Sequence, residues 1–237
     1  MKKIFLFLLF IFTISTAKSQ FFIGPRASFN LAGQNGSLNL WDENDYHWIY
    51  CFNPGIVVKY RFSDLFSLQL ETNYANTGSK ADITITDETG NITSASLKNL
   101  FRSIQIPLLA RFSFGNNLRF FGETGPYFDL IVEGKYKLKY ENTVTKGTIK
   151  IKERPENDND DVYYIDPDIR RKTDFGIYFG TGILKKIGQG ELVLTTRFGM
   201  GFLDIYTYSE KPEGYKPFRN KMVNISLAYL FQTGKSQ

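Results

Sequence analysis

The chain has 237 residues, of which 29 are basic and 24 acidic, and its formal net charge is +5. Lys2, Lys3 and Lys18 account for three of the basic residues, so the chain after residue 19 has 29 − 3 = 26 basic and 24 acidic residues, a charge of about +2. This balance is too weak to favour nucleic acid as a partner. The single cysteine, Cys51, excludes an intramolecular disulfide framework. Aromatic residues make up 16% of the chain beside 20 glycines, a composition that favours an all-β fold.

The N-terminus has the pattern of a secretory signal. Lys2 and Lys3 precede an apolar run over residues 4–14, and Ala17-Lys18-Ser19 resembles the small-residue site that a signal peptidase cuts. A membrane-spanning helix needs roughly 20 apolar residues, so this run is too short to be an anchor. The pattern predicts a cleavable signal peptide over residues 1–19 and one exported domain over residues 20–237.

Eight segments of the exported domain alternate apolar and polar residues, which is typical of β-strands with two different faces. Most reach the length of about 9–11 residues that a membrane-spanning strand needs. In chain order they cover residues 23–31, 54–62, 66–74, 103–114, 118–130, 174–183, 191–202 and 223–231.

The connections between these segments alternate between short and long. Ser63-Asp64-Leu65, Gly115-Asn116-Asn117 and Gly188-Gln189-Gly190 are the short ones and have the residues of hairpin turns. A transmembrane barrel has this layout, with short turns at one rim and long loops at the other. The long connections cover residues 32–52, 78–99, 133–173 and 206–221.

Two of the long connections contain an alternation of their own. Residues 81–97 alternate around Gly90-Asn91, and residues 136–153 alternate around Lys146-Gly147. Each pattern predicts a hairpin that continues the strands beyond the membrane. Residues 154–161 are rich in acidic side chains and predict a mobile loop tip.

The polar faces of the eight segments combine small residues with charged ones, which favours a narrow lumen over a solvated surface. A charge buried in such a lumen needs a partner, because its desolvation costs several kcal/mol. The apolar faces carry aromatic residues near the strand ends, as expected for contact with lipid. The charged lumen residues are Arg26, Lys59, Arg61, Glu71, Arg111, Arg119, Glu123, Asp129, Asp174 and Arg197. We expect a charge network among Arg26, Glu71, Arg111, Glu123 and Arg197.

The sequence therefore predicts an all-β fold: an eight-stranded antiparallel up-and-down transmembrane β-barrel behind a signal peptide. Five segments, residues 23–30, 66–74, 104–109, 122–127 and 225–231, have a further pattern in common. Together they resemble the outer-membrane β-barrel proteins common in Bacteroidetes, often termed PorT-like. That resemblance implies a fold and an outer-membrane location but no single activity. The six residues after Phe231 and the acidic loop depart from the pattern.

Candidate sites for chemistry are few. His47, near Asp42 and Asp45 in the first long connection, is the only histidine and the basis of an alternative hypothesis, an outer-membrane enzyme. No phosphate loop, dinucleotide fingerprint or paired Cys/His metal site is present, so we predict no enzyme activity, cofactor or metal. The sequence offers two further candidate sites in the loops. One is a cation site at Asp158, Asp160 and Asp161, and the other is a binding patch at Trp41, Tyr46, Trp48 and Tyr50.

The leading functional hypothesis is a structural or interaction protein with a filled lumen and long extracellular loops, acting in adhesion, scaffolding or envelope assembly. We expect outer-membrane lipid, the barrel-assembly machinery and an envelope or extracellular protein as partners, with both termini in the periplasm. A small passive pore is an alternative, although eight strands are far fewer than the roughly 16–18 of porins. A soluble secreted ligand-binding barrel, with its apolar face inside, is another.

Overall fold

The computed structural model describes residues 20–37, 46–86, 92–140, 143–149, 172–204 and 216–233. The predicted signal peptide and the acidic loop tip lie outside these residues. No helix in the described ranges is long and apolar enough to cross a membrane. The described residues contain ten strands, which are β1 (Gln20–Ser37), β2 (Tyr46–His47), β3 (Ile49–Arg61), β4 (Phe66–Thr86), β5 (Ile92–Phe114), β6 (Leu118–Tyr140), β7 (Thr143–Ile149), β8 (Thr173–Ile187), β9 (Gly190–Gly201) and β10 (Lys216–Thr233).

Eight of these strands form a closed antiparallel ring in the order β1-β3-β4-β5-β6-β8-β9-β10. The ring closes where β1 pairs with β10, from Phe21 opposite Thr233 to Ser37 opposite Lys216. The two short strands lie outside the ring, β2 on β4 and β7 on β6. Each ring strand pairs with the ring strands that come before and after it in the sequence, and the first and last strands pair with each other. The predicted eight-stranded up-and-down barrel is therefore confirmed.

The three predicted short turns occupy one rim of the barrel. Gly115 and Gly188 have φ angles of +103° and +60°, which glycine adopts without steric cost. At the remaining turn the Ser63 hydroxyl accepts a hydrogen bond of 3.1 Å from the Phe66 amide. Gln20 at the start of β1 lies opposite Arg61, next to the first short turn, and Thr233 at the end of β10 lies opposite Phe21. The first and last described residues of the ring are therefore at this same rim.

The strands run further at the other rim than the alternation predicts. β1 continues to Ser37 and β3 begins at Ile49, so the predicted loop over 32–52 is too long. β4 and β5 stay paired up to Thr86 opposite Ile92, as expected for a hairpin that extends the barrel. Residues 78–86, 92–101, 134–140 and 143–149 of β4 to β7 thus form a four-stranded sheet beyond the ring, called here the sheet extension.

The predicted turn at Lys146-Gly147 is wrong. β6 and β7 are paired from Tyr140 opposite Thr143 onwards, so Lys146 and Gly147 lie inside β7. Gly147 is opposite Tyr136. A Cβ atom at Gly147 would lie 2.4 Å from the Tyr136 ring, so this glycine makes room for an aromatic side chain rather than for a turn. The predicted centre of the other hairpin, Gly90-Asn91, lies outside the described residues.

Apolar side chains cover the outside of the ring and polar ones fill the inside. Phe29 and Ile56 are 68% and 57% exposed, whereas Glu71 and Arg111 are each only 1% exposed. An exposed apolar band of this size belongs to a protein whose solvent is lipid. The alternative of a soluble barrel with an apolar interior is therefore wrong for this structure.

Candidate functional site

The five predicted lumen residues form one connected cluster, called here the lumen cluster. The Arg197 guanidinium donates to both oxygens of Glu71, at 2.8 and 2.6 Å, and to Glu123 Oε1 at 2.5 Å. Arg111 donates to Glu123 Oε2 from Nε and Nη2, at 2.8 and 2.7 Å. Arg26 lies 3.6 Å from Glu71 Oε2. Each carboxylate therefore faces two guanidinium groups, and charge-assisted bonds of this kind are the strong class of hydrogen bond.

Strand register explains how the lumen cluster is assembled. Arg111 and Glu123 are direct cross-strand partners on β5 and β6. Gly180 on β8 lies between Glu123 and Arg197 in the same row. A Cβ atom at Gly180 would lie 2.8 Å from Arg197 Cγ and 3.2 Å from Glu123 Cγ, so the glycine gives these two side chains room to meet.

Amides extend the lumen cluster around the rest of the ring. Arg26 donates to Asn73 Oδ1 at 3.0 Å and to Asn224 Oδ1 at 2.6 Å, which links β1 to β4 and β10. Asn73 in turn donates to Glu71 Oε2 at 3.1 Å. Buried charges that are paired and hydrogen-bonded in this way hold strands on opposite sides of the lumen together.

Apolar side chains pack next to the lumen cluster on the short-turn side. The Arg111 guanidinium lies 3.9 Å from the centre of the Phe121 ring, a cation–π contact. Seven buried residues form the apolar layer to which this ring belongs: Phe22, Val57, Phe121, Leu184, Val193, Ala228 and Leu230. This layer separates the lumen cluster from the short-turn rim.

A second charged group lies at the short-turn side, where two predicted lumen residues, Lys59 and Arg61, meet Glu191, which was not predicted. Glu191 accepts hydrogen bonds from Lys59 and Arg61. Lys59 and Arg61 also lie 4.2 and 4.6 Å from the centre of the Phe22 ring. Glu191 is 4% exposed and directly follows the turn glycine of β9. Its place on the polar face of the seventh alternating segment is the signal that indicates a lumen position.

The lumen leaves little free space. A cavity among Arg26, Gln69, Arg111 and Arg197 offers about 10 Å³ to the centre of a water molecule. That is room for about one water. Arg26 Nε, Gln69 Oε1 and Arg111 Nη1 are buried there without a hydrogen-bond partner in the structure. Among the described residues at this level, the packed side chains leave no room for a continuous file of water molecules.

The remaining predicted lumen charges lie nearer the rims. Arg119 is partly buried at the short-turn rim and donates to the Asp64 carbonyl oxygen. Asp129 and Asp174 are direct cross-strand partners, 1% and 3% exposed, and Asn220 donates to Asp174 at 2.8 Å. The sequence placed these residues on the correct face but gave no indication of their partners.

The structure does not assemble the predicted loop binding patch. Trp41 lies outside the described residues and Tyr46 belongs to β2. Tyr50 is 85% exposed and is a β3 residue opposite Leu31, on the outer face of the ring rather than in a loop. Trp48 packs over Gly33, whose added Cβ would lie 2.9 Å from the indole. Asp158, Asp160 and Asp161, the predicted cation site, lie outside the described residues.

Among the described residues, the side-chain contact that the structure records for His47 is with a carboxylate. Its Nε2 lies 3.2 Å from Asp82 Oδ2, and Lys80 Nζ lies 3.0 Å from Asp82 Oδ1. The hydrogen bond from Lys80 lowers the pKa of the Asp82 carboxyl, and a hydrogen bond from Ser96 adds to this effect. Asp82, not the imidazole, is thus the group bonded to the serine, whereas a nucleophilic serine needs the imidazole as its base. This geometry gives no support to the enzyme alternative.

Lumen glycines opposite aromatic rings should not tolerate side chains. A Cβ atom at Gly182 would lie 2.5 Å from the Phe121 ring and 2.2 Å from the Leu194 carbonyl oxygen. We expect Gly182→Val to destabilise the folded barrel by about 1–3 kcal/mol, the usual cost of overpacking. Gly122 has nothing within 4 Å of its added Cβ, so Gly122→Val is the matched control. Equal denaturant midpoints for the two variants would contradict the packing described here.

A sequence profile of the outer membrane protein beta-barrel domain matches residues 19–207. The chain belongs to this family. The family is one of the outer membrane, in agreement with the apolar exterior of the ring. No curated protein sequence matches the chain.

Solved structures that are similar to this chain include three bacterial proteins. Ail, the attachment invasion locus protein of Yersinia pestis, solved with the heparin analogue sucrose octasulfate, is 8% identical, with a TM-score of 0.35, over 90% of this chain and 99% of Ail. Neisserial surface protein A is 14% identical, with a TM-score of 0.35, over 88% of this chain and 95% of that protein. The translocator domain of the autotransporter NalP from Neisseria meningitidis is 9% identical, with a TM-score of 0.32, over 89% and 88%. Similarity at this level does not extend to function.

Proposed function

We propose that this protein is a non-conducting outer-membrane barrel that displays its long-loop rim outside the cell and acts by contact, in adhesion, scaffolding or envelope assembly. The observation that carries the proposal is the lumen cluster, in which Arg197 holds Glu71 and Glu123 across the lumen. We therefore expect no ion-conducting channel through this barrel. Its remaining surfaces are the lipid-facing band, the short-turn rim and the sheet extension.

The two rims support an orientation for the barrel. Bacterial barrels have short periplasmic turns and longer extracellular loops. Gln20 and Thr233 lie at the rim of the short turns, which favours both termini in the periplasm. Outer-membrane lipid is then the partner of the apolar band. The closing strand β10, with Phe231 near its end, is the segment that we expect the barrel-assembly machinery to meet.

The narrower assignment to PorT-like proteins of Bacteroidetes rests on the sequence segments alone. Five segments carry that resemblance together, among them residues 66–74 and 225–231. In the structure these two segments are parts of β4 and β10 and contain the lumen carboxylate Glu71 and the aromatic residue Phe231 near the end of the closing strand. The resemblance adds no partner and no process to the proposal.

Single-channel recording tests the filled lumen. We expect the purified full-length protein in a planar bilayer to give no regular conductance steps, whereas a porin in the same apparatus gives large ones. Uniform steps from the intact barrel would overturn the non-conducting proposal and favour the small passive pore.

A further inference from the structure

The sheet extension begins above a row of apolar residues that β4, β5 and β6 share near the end of the ring. That row is Tyr74, Ile104 and Leu130, which are cross-strand partners on β4, β5 and β6. The next row is polar, with Asn76 opposite Arg102 and Arg102 opposite Glu133. Arg102 and Glu133 form a half-exposed ion pair of 2.6 Å. On these three strands the ion pair, next to exposed Val132 in the bulge of β6, marks where the outer face of the barrel wall becomes polar.

Two rows further along the strands, four lysines lie side by side. Lys80 is opposite Lys98, Lys98 is opposite Lys137, and Lys137 is opposite Lys146. Directly opposed residues of antiparallel strands project from the same face, so these lysines form one continuous row across four strands. We call this row the lysine ladder. With strands about 4.8 Å apart, it spans about 14 Å.

The face around the lysine ladder has an excess of positive charge. Lys135 and Lys139 lie two positions from Lys137 on the same face of β6, and His47 lies opposite Lys80 at the end of the row. Asp82 is bonded to Lys80, and Glu133 is bonded to Lys135 at 2.9 Å. Within the part of the chain that the structure describes, no salt bridge involves Lys98, Lys137, Lys139 or Lys146. Like charges placed directly opposite each other destabilise a sheet, so this arrangement is better explained by a partner than by folding.

We propose that the lysine ladder binds an acidic polysaccharide outside the cell. A row of exposed point charges suits a linear polymer with anionic groups at regular intervals, since lysine makes flexible contacts with single anions. This inference rests on the proposed display of the long-loop rim. It adds to that function a chemical class of partner and the face that contacts it.

Lipid phosphates fit the lysine ladder less well. Lys80 is six residues beyond Tyr74, which is about 20 Å along the strand and about 15 Å in height at the usual barrel tilt. The headgroup layer extends only about 5–8 Å beyond the hydrocarbon. Leu100, one row below the ladder, packs against Ala32, Ile49 and Cys51 of the barrel rather than facing lipid. The ladder therefore lies above the headgroups.

Nucleic acid and protein partners also fit less well. Single-stranded nucleic acids stack on aromatic side chains. On the face of the ladder, none of the described positions in the ladder row or in the rows two residues away along each strand is Phe, Tyr or Trp. Tyr136 lies on the opposite face of β6 from Lys135 and Lys137. A protein interface needs an apolar centre, for which the three rows offer only Leu100 and Val144.

The test uses the purified full-length protein folded in uncharged detergent micelles, with a heparin-derived octasaccharide as the probe. The Lys98→Gln/Lys137→Gln variant removes the two central lysines. The matched control, Lys185→Gln/Lys186→Gln, removes the same charge from exposed residues at the short-turn end of β8. An unboiled gel shift establishes that each variant is a folded barrel, which keeps failure to fold distinct from failure to bind.

We expect the octasaccharide to bind the wild type in a salt-sensitive way. The ladder variant should bind about tenfold more weakly, because it loses two of the four charges of the row, and the control should bind as the wild type does. Equal affinities for the two variants, or no binding to the folded wild type, would overturn the proposal and leave the display function standing. Equal affinity for an oligothymidylate of the same charge would overturn the assignment to polysaccharides.

Discussion

Arg197→Leu should unfold the barrel more readily than any other single lumen change, with an expected loss of about 3–5 kcal/mol in the free energy of unfolding. Arg197 is 2% exposed and bonds both Glu71 and Glu123. Its removal leaves two buried carboxylates with one fewer cation, and the cost of an uncompensated buried charge exceeds that of the lost bonds themselves. Equilibrium unfolding by denaturant in phospholipid vesicles measures the difference.

Arg102 provides the matched control for Arg197. It also pairs with a glutamate at 2.6 Å, but its side chain is 35% exposed and its partner Glu133 is 33% exposed. Arg102→Leu should therefore cost far less, because exposed ion pairs are screened by solvent. The double variant Glu71→Gln/Arg197→Leu should lose less than the sum of its single changes, since the two residues are directly bonded. Equal losses for Arg102→Leu and Arg197→Leu would show that the lumen cluster is solvated.

Leu70→Arg should destabilise the inserted barrel by about 2–4 kcal/mol, the cost of a cation at the bilayer midplane on the lipid-facing side of a barrel. Leu70 lies opposite Val58 and Leu108 midway along the apolar band and is 45% exposed in the absence of lipid. Tyr74→Arg, on the same face of the same strand, should cost only about 0–1 kcal/mol, because its row borders the polar region. Unfolding in vesicles measures both.

The difference in stability between Leu70→Arg and Tyr74→Arg distinguishes a lipid-facing surface from a water-facing one. If water rather than lipid covered this face, Leu70→Arg would be tolerated as well as Tyr74→Arg. Equal stabilities for the two variants would therefore contradict a membrane-embedded exterior, even if both variants folded.

The sequence predicts the strands of the ring and their faces well because each strand separates lipid from a polar lumen. Alternation then marks both the element and the direction of every side chain, and the need to pair buried charges points to the lumen cluster. Its internal geometry was not predictable. Which carboxylate Arg26 or Arg197 meets depends on the stagger of strands that are distant in the sequence, and local patterns do not encode that stagger.

The length of the strands in the sheet extension was predicted too short for a related reason. Above the membrane neither face of a strand meets lipid, and apolar residues such as Leu100 and Phe101 pack in small clusters, so the contrast that drives the alternation is lost. Lys146 and Gly147 are residues common in turns, yet Gly147 lies inside a strand, where its lack of a side chain makes room for the Tyr136 ring. Glu191 was missed as a partner because Val193 interrupts the polar face of β9 two residues later. The lysine ladder is visible only once the register of four strands is known.

Labelling of single cysteines on intact cells tests the central claim, surface display by a closed outer-membrane barrel, most directly. In a Cys51→Ser background, Lys146→Cys places a thiol on exposed β7 of the sheet extension, and Asp64→Cys places one in a short turn. We expect a membrane-impermeant maleimide to label the first on intact cells and the second only after the outer membrane is permeabilised. Labelling of Asp64→Cys but not Lys146→Cys on intact cells would contradict the account, because the long-loop rim would then face the periplasm.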